Sequence, residues 1–331
     1  MPLDIGLIGA TRVAERSMIS PSRRFGDAVI RAVAASDPDR AVAFAERHEI
    51  PVVHPNYQAV IDDPTTNTVY VSLHNSAHHE WAVRAARAGK HVIVEKPLCL
   101  NEAEFAAIRN AASATGVRFV EAIPGKGHPW QGSLRNMLDD RNFGALRSAH
   151  TRIQFAMGSS DGYRCRRELG GGIFLDASSY WLQAAQAVCG LADVTGAADS
   201  DFAGPNGVDS SFRSVLTWPN GCEWVLDCCF DARHIAEHNF TFERGVARLR
   251  QFLLPVAGPV PLNVVVRRDD STREVIGYPP IAYYELQFGR IRELLTSAAD
   301  DRGEEAATGE RIGLMAALLR DARGRLAGAT G

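Results

Sequence analysis

The chain has 331 residues, 46% of them apolar and 23% charged, with a formal net charge of −3. That length suits two domains, and the composition excludes a disordered, collagen-like or coiled-coil chain. The small net charge gives no reason to expect a nucleic acid or an anionic membrane as partner.

No stretch approaches 18 uninterrupted apolar residues, so no membrane span is expected. Met1-Pro2-Leu3-Asp4 passes at once into an apolar run, so no secretory signal is expected. Cys99, Cys165, Cys189, Cys222, Cys228 and Cys229 show neither a Cys-x-x-Cys pair nor metal-ligand spacing. They read as small buried residues of a cytoplasmic protein without a metal site. Of the 36 basic residues, only Lys90, Lys96 and Lys126 are lysines. Codon usage in a GC-rich genome accounts for the count, and it makes the places of the survivors informative.

The first 120 residues alternate short apolar runs with segments of helical periodicity. The runs are Ile5–Ile8, Ile30–Ala35, Val69–Leu73, His91–Val94 and Arg118–Val120; the segments include Asp39–His48 and His79–Ala88. This alternation predicts a parallel sheet covered on both faces. Asp37-Pro38 reads as a cap and first-turn proline. Ala88-Gly89 and Thr115-Gly116 read as helix ends. After about residue 123 the pattern changes. Leu146–Phe155 looks extended, and Phe212–Trp218 and Cys222–Phe230 flank Pro219-Asn220-Gly221, a strong hairpin signal. In the second of these strands Cys222, Trp224, Leu226, Cys228 and Phe230 fall on one face, with Glu223, Asp227 and Asp231 opposite. Further extended segments are expected at Asn239–Glu243, Ala247–Leu253 and Leu262–Arg267, and helices at Tyr283–Ala298 and Thr308–Leu326.

The first strand runs into Gly6-Leu7-Ile8-Gly9-Ala10-Thr11-Arg12-Val13-Ala14. Against the dinucleotide pattern G-x-G-x-x-G/A, Gly9 supplies the turn and Ala14 the small packing residue, while Thr11 replaces the middle glycine. The chemistry tolerates this if the Thr11 amide and hydroxyl face the pyrophosphate. The second strand ends Ala34-Ala35-Ser36-Asp37. If the ribose-binding acid belongs at Ala35, it is missing, and Ser36 suits a 2′-phosphate; Asp37 before Pro38 reads better as a helix cap. NADP is therefore preferred over NAD. The expected fold is an α/β Rossmann-type N-terminal domain (1–122), followed by an α+β C-terminal domain (123–331) with a large, mainly antiparallel sheet.

Two stretches carry the chemistry. In His91-Val92-Ile93-Val94-Glu95-Lys96-Pro97 a strand delivers a lysine to its C-terminal end, where open parallel sheets bind ligands. Pro97 keeps Lys96 out of the helical region, and Glu95 is placed to brace it. In Gly170-Gly171-Gly172-Ile173-Phe174-Leu175-Asp176-Ala177-Ser178-Ser179-Tyr180 three glycines permit close backbone approach before a helix. Asp176 and Tyr180 are four residues apart, with Gln183 one turn beyond, so all three share a face. The residues alone leave open whether Asp176 and Tyr180 handle a substrate oxygen or serve as a cap and a half-buried aromatic.

Together these stretches resemble the Gfo/Idh/MocA family of oxidoreductases, named for glucose–fructose oxidoreductase and inositol dehydrogenase. The resemblance runs over nearly the whole chain. It rests on Glu95-Lys96-Pro97, on Asn75 and His78 in an Asn-x-x-His after the preceding strand, and on Asp176 after the glycine triplet. Tyr180 stands where inositol dehydrogenases have histidine, as in the branch with dihydrodiol dehydrogenase, xylose dehydrogenase and nucleotide-sugar 3-ketoreductases. His74 and Ser178 depart from the family pattern. So does Glu121-Ala122-Ile123-Pro124-Gly125-Lys126-Gly127-His128-Pro129, which lacks the methionine and aromatic positions usual near the substrate.

The resemblance implies hydride transfer between a nicotinamide and a carbon bearing hydroxyl or ketone. Lys96 is expected as acid/base, with Tyr180 sharing the substrate oxygen and Asp176 orienting Lys96 or a second hydroxyl. A free lysine titrates near roughly 10.4, so this role requires desolvation to bring it down. Gly9, Ala10, Thr11, Arg12, Val13, Ser36, Asn75, His78, Glu95 and Lys96 are expected at the cofactor. Lys126, Arg164 and Gln183 are expected at the substrate; the sequence leaves open whether Lys126 and Arg164 meet an anionic group or belong to a solvated basic loop. The partner is a small molecule, and the C-terminal sheet is expected to form a homodimer or homotetramer, as in relatives. The competing reading is a catalytically silent NAD(P) or sugar sensor on the same fold.

Overall fold

The computed structural model describes residues 2–140, 142–297 and 302–329. It divides into two compact units. One takes the chain up to Pro124 together with Tyr284–Ile312; the other takes Gly125–Tyr283 and the chain from Gly313.

The first unit is built on six strands: β1 (Leu3–Ile8), β2 (Ala28–Ala34), β3 (Val52–Val53), β4 (Thr68–Val71), β5 (His91–Glu95) and β6 (Phe119–Ala122). All pair in parallel, in the order β3-β2-β1-β4-β5-β6. This is the doubly wound Rossmann order, which reverses next to β1 and opens a crevice at the C-terminal strand ends. A helical run over 12–22 follows β1, made of α1 (Arg12–Ala14), a π turn (Glu15–Ile19) and α2 (Ser20–Ser22). The other crossovers carry α3 (Pro38–His48), α4 (Tyr57–Asp62), α5 (His78–Arg87) and α6 (Glu102–Thr115). Strands buried on both faces need continuous apolar runs, and Ile5, Leu7 and Ile8 are fully buried. In α3 the buried Ala41, Phe44 and Ala45 form one stripe. Asp37 caps α3, and Gly116 closes α6 in the left-handed conformation.

The expected single division at 122/123 overlooks the return of Tyr284–Ile312 to this unit. Phe288, Ile291 and Leu295 of α9 (Tyr283–Thr296) join its core, with Phe288 5.5 Å from Phe25 between ring centres. Within the same unit, Arg311 of α10 (Arg302–Ala329) pairs with Glu121 at 2.9 Å; the side chains are 3% and 2% exposed.

The second unit holds α7 (Pro129–Asp139), α8 (Ile173–Cys189) and an eight-stranded sheet: β7 (Leu146–Phe155), β8 (Thr195–Asp199), β9 (Ser211–Thr217), β10 (Glu223–Phe230), β11 (Ile235–Phe242), β12 (Gly245–Arg250), β13 (Val260–Arg268) and β14 (Arg273–Ile281). The order is β14-β13-β12-β11-β7-β10-β9-β8; β7 and β10 run parallel and every other pair antiparallel. The β9–β10 hairpin turns through Asn220-Gly221, where the Asn220 side chain accepts from the Cys222 amide. Trp224, Leu226 and Cys228 of β10 are buried, as their alternation requires. Phe174 of α8 stacks on Phe212 of β9 at 4.1 Å.

The strands β3, β8 and β14 were not expected. The two residues of β3 are too short for a periodic signal. Thr-Gly-Ala-Ala-Asp in β8 has little β propensity. Pro279-Pro280 in β14 is tolerated because β14 is an edge strand. The expected helices near the C-terminus correspond to α9 and α10, with Ala298 outside the described residues. Among the described residues no helix is long and apolar enough to cross a membrane.

Candidate active site

In the first unit the expected cofactor residues gather at the C-terminal strand ends. Gly9 has φ +110°, and a Cβ there would lie 2.5 Å from the Ser72 carbonyl oxygen, so the turn requires glycine. The Thr11 hydroxyl accepts from the Ala14 amide at 3.1 Å and shares a hydrogen bond with the Ser72 hydroxyl at 2.9 Å. This corrects one expectation: the hydroxyl caps the helical run instead of being reserved for a pyrophosphate. Ala10 is buried, while Arg12 and Val13 stand in the first turn, where backbone amides lack a helical partner. Asp37 accepts from the amides of Asp39 and Arg40, so its carboxylate is used as a cap. Arg40, one turn into α3, donates to the exposed Ser36 hydroxyl at 3.1 Å.

Lys96 follows β5 directly and is half-buried. Glu95 is buried beside it: Tyr70 donates to Glu95 Oε1 at 2.6 Å, and the Lys96 backbone amide to Oε2 at 3.3 Å. Desolvation raises the Glu95 carboxyl above its usual range, against the Tyr70 bond and the Lys96 charge. Ser17 of the π turn joins this network and accepts from Gln287 at 2.7 Å. Glu95, expected at the cofactor, instead anchors Lys96 to the buried interior. His78 also departs from expectation. It is 1% exposed, with Nδ1 2.8 Å from the Pro97 carbonyl and Nε2 3.1 Å from that of Leu73. Burial pushes it down to about 4, so the ring is neutral and donates from one nitrogen only; the shorter contact marks Nδ1. His78 therefore clamps the Lys96-Pro97 turn. Asn75 is buried beside it at the start of a single 3₁₀ turn.

In the second unit the close approach allowed by the glycines is to the chain's own loop. A Cβ on Gly171 would lie within 2.7 Å of the carbonyl oxygens of Tyr163, Arg164 and Arg166. The Gly171 and Gly172 amides donate to the Arg166 and Arg164 carbonyls at 3.0 Å. This wrapping sets Arg164 against Asp176, with Nε 2.5 Å from Oδ2. Asp176 is buried and Arg164 about one-third exposed. Desolvation is the largest influence on Arg164 and opposes its charge, but the Asp176 carboxylate, with Tyr163 and Tyr180 beside it, holds the guanidinium above its usual range. Arg164, expected at the substrate, thus has its charge matched by Asp176. Tyr180 is half-buried one turn further along α8.

Gln183, expected at the substrate, is buried in a reciprocal amide pair with Gln131, at 2.9 and 3.1 Å. Gln131 also accepts from the Gly127 amide and donates to the Gly125 carbonyl. Gln183 therefore supports the turn that carries the half-buried Lys126. Gly125 lies against Tyr283, where a Cβ would stand 2.6 Å from the ring. A tyrosine from the start of α9 thus fills space beside the segment that lacks the usual aromatics. A cavity of about 1040 Å³ opens on the other face of the sheet, lined by Arg152, Asn239, Arg248 and Arg267 among others, and contains none of these residues.

A model of the oxidoreductase family with an NAD-binding Rossmann fold matches residues 3–122, and one of the GFO/IDH/MocA C-terminal domain matches residues 133–247. The chain belongs to the Gfo/Idh/MocA family. It is an NAD(P)-dependent oxidoreductase. D-xylose 1-dehydrogenase (NADP(+)) 2 of Haloferax volcanii is 29% identical over 227 residues, 68% of this chain and 69% of that one. The dTDP-3,4-didehydro-2,6-dideoxy-alpha-D-glucose 3-reductase of Actinomadura kijaniata is 28% identical over 284 residues, 83% and 82% of the two chains. A 3-ketoreductase from that organism, solved in complex with NADP and TDP-benzene, matches with a TM-score of 0.88 over 97% of this chain and 98% of that one. At 23% identity this likeness establishes the fold.

In this Gfo/Idh/MocA chain, four further features escaped the sequence reading. Arg40 had a readable signal, one helical turn after Ser36. The Tyr70–Ser17–Gln287 network, Asp209 beside α8 and Tyr283 beside Gly125 had none, because each meets its partner across a long stretch of chain.

Proposed function

We propose that this enzyme transfers a hydride between NADP and the hydroxyl- or ketone-bearing carbon of a sugar-like or cyclic polyol substrate, with Lys96 as acid/base. The observation that carries this reading is Lys96 at the C-terminal end of β5, on a turn fixed by Glu95 and His78. The residues present fit a dinucleotide: Gly9 makes the tight turn at the end of β1, where a Cβ would strike the Ser72 carbonyl, and the turn leads straight into a helix N-terminus. Gly9, Ala10, Thr11, Arg12 and Val13 hold the pyrophosphate through their backbone. When bound, the nicotinamide supplies or accepts the hydride. Ser36 and Arg40 offer a hydroxyl and a guanidinium for a 2′-phosphate where no acid is available for a ribose hydroxyl, which favours NADP. The NADP in the names of the xylose dehydrogenase and the solved ketoreductase supports the same choice.

Lys96 moves a proton to or from the substrate oxygen, and Tyr180 shares the hydrogen bond to that oxygen. Asp176, held by Arg164, orients the substrate through Lys96 or a neighbouring hydroxyl. Asn75 shapes the nicotinamide side. Lys126 faces an anionic substituent of the substrate, while Arg164 acts on the site through Asp176. The solvent-facing side of the eight-stranded sheet forms a homodimer or homotetramer, and the six free cysteines suit the cytoplasm. The test is fluorescence titration with NADPH and NADH, then turnover with D-xylose and a panel of cyclic and nucleotide-sugar ketones. Tighter NADPH binding and turnover support the reading; binding without turnover on any substrate favours the sensor.

A further inference from the structure

We propose that Asp209 is a positioning residue for catalysis: by holding the N-terminus of α8, it sets where Asp176 and Tyr180 stand. This rests on the roles given above to those two residues. Asp209 precedes β9 and is 2% exposed. Its Oδ2 accepts from the Phe174 amide at 2.7 Å, and its carbonyl accepts from the Ile173 amide at 3.0 Å. One residue from outside the helix thus takes its first two amides, at an end where Gly172 supplies no side-chain cap. A Cβ on Gly172 would stand 2.0 Å from Asp209 Oδ1, so the carboxylate reaches the helix only because that residue is glycine.

The contacts form a closed set. Asp209 holds Ile173 and Phe174; the Gly172 amide holds the Arg164 carbonyl; and the Arg164 guanidinium holds Asp176, two residues beyond Phe174. Loosening Asp209 releases the helix end and the loop that supports Asp176 together. The titratable groups around Asp209 are Arg323 of α10 and Cys228 of β10, and Cys228 in turn faces Asp176. Burial pushes the Asp209 carboxyl up to about 7, so the charge on this cap changes across the working pH range.

The test compares Asp209→Ala and Asp209→Asn with Asp176→Asn and Tyr180→Phe, all checked for folding by tryptophan fluorescence. NADPH-dependent turnover is measured from pH 5.5 to 9 on the best substrate of the panel, with amide hydrogen exchange over residues 170–182. Asp209→Ala is expected to lose tenfold or more in kcat with KM for NADPH within twofold, and to speed exchange of that segment at least tenfold. Asp209→Asn retains an acceptor for the Phe174 amide, so it recovers most of kcat but loses the pH step near 7. Wild-type kcat, pH profile and exchange in Asp209→Ala overturn the proposal. If Asp209→Ala does not fold, an unchanged pH step in Asp209→Asn overturns it. If Asp176→Asn and Tyr180→Phe keep wild-type turnover, the catalytic reading fails instead, and the exchange measurement still decides whether Asp209 holds the helix.

Discussion

Replacing Asp209 by asparagine should make the second unit more stable at high pH than at low pH, relative to the wild type. The carboxyl is buried without a paired cation within ion-pair distance among the described residues, and burial raises it from an ordinary 3.8 to about 7. The folded state therefore binds this proton more tightly than the unfolded state. The group's stabilising contribution is complete below about pH 4 and is lost as the pH rises through about 7. At about 1.4 kcal/mol per pH unit, the full loss is about 4 kcal/mol, of which about 2–3 kcal/mol falls between pH 5 and pH 8. Asparagine does not titrate, and groups common to both proteins cancel in the comparison. Four of the five tryptophans, Trp130, Trp181, Trp218 and Trp224, lie in the second unit, so their fluorescence in urea follows its unfolding. With a slope of roughly 2 kcal/mol per molar urea, the variant-minus-wild-type difference in midpoint should rise by roughly 1 M from pH 5 to pH 8. Parallel pH dependence of the two midpoints would refute the reasoning, because it would mean that the carboxyl is already ionised at pH 5.

Two further substitutions probe separate parts of the molecule. Gly171→Ala drives a Cβ into three backbone carbonyl oxygens, which cannot yield as side chains do. It should cost roughly 1–3 kcal/mol, measured by urea unfolding, and lower turnover as Arg164 leaves Asp176, with NADPH binding unchanged in a fluorescence titration. Arg311→Met removes one partner of the buried Glu121–Arg311 pair and leaves Glu121 uncompensated. It should cost roughly 3–5 kcal/mol in a urea melt; a loss below about 1 kcal/mol would mean that the pair is well solvated.

What could be read from the sequence was what local chemistry decides. The alternation of Trp224, Leu226 and Cys228 placed a half-buried strand, Asp37-Pro38 placed a helix start, and Asn220-Gly221 placed a hairpin. The Glu95-Lys96-Pro97 segment could be put at a strand end because strand and breaker adjoin. The roles of polar side chains were less legible, since they depend on partners far along the chain. Gln183 reads as a ligand on the face of Asp176 and Tyr180 until Gln131, 52 residues away, is seen to occupy its amide. Glu95 reads as a brace for Lys96, but the sequence does not show that Tyr70, 25 residues away, holds it from the other side. The glycine triplet signalled a close approach but not its object, which is the loop at residues 163–166. The strands β8 and β14 lack the β-branched alternation that marks a strand, and they exist because β9 and β13 offer edges to pair with.

The central claim is that Lys96 moves the proton at the substrate oxygen, and steady-state kinetics of Lys96→Ala tests it most directly. With a substrate that the wild type turns over, the account predicts a loss in kcat of roughly two to four orders of magnitude, with NADPH binding retained. Wild-type turnover in a variant that still binds NADPH would contradict it and remove Lys96 from the mechanism.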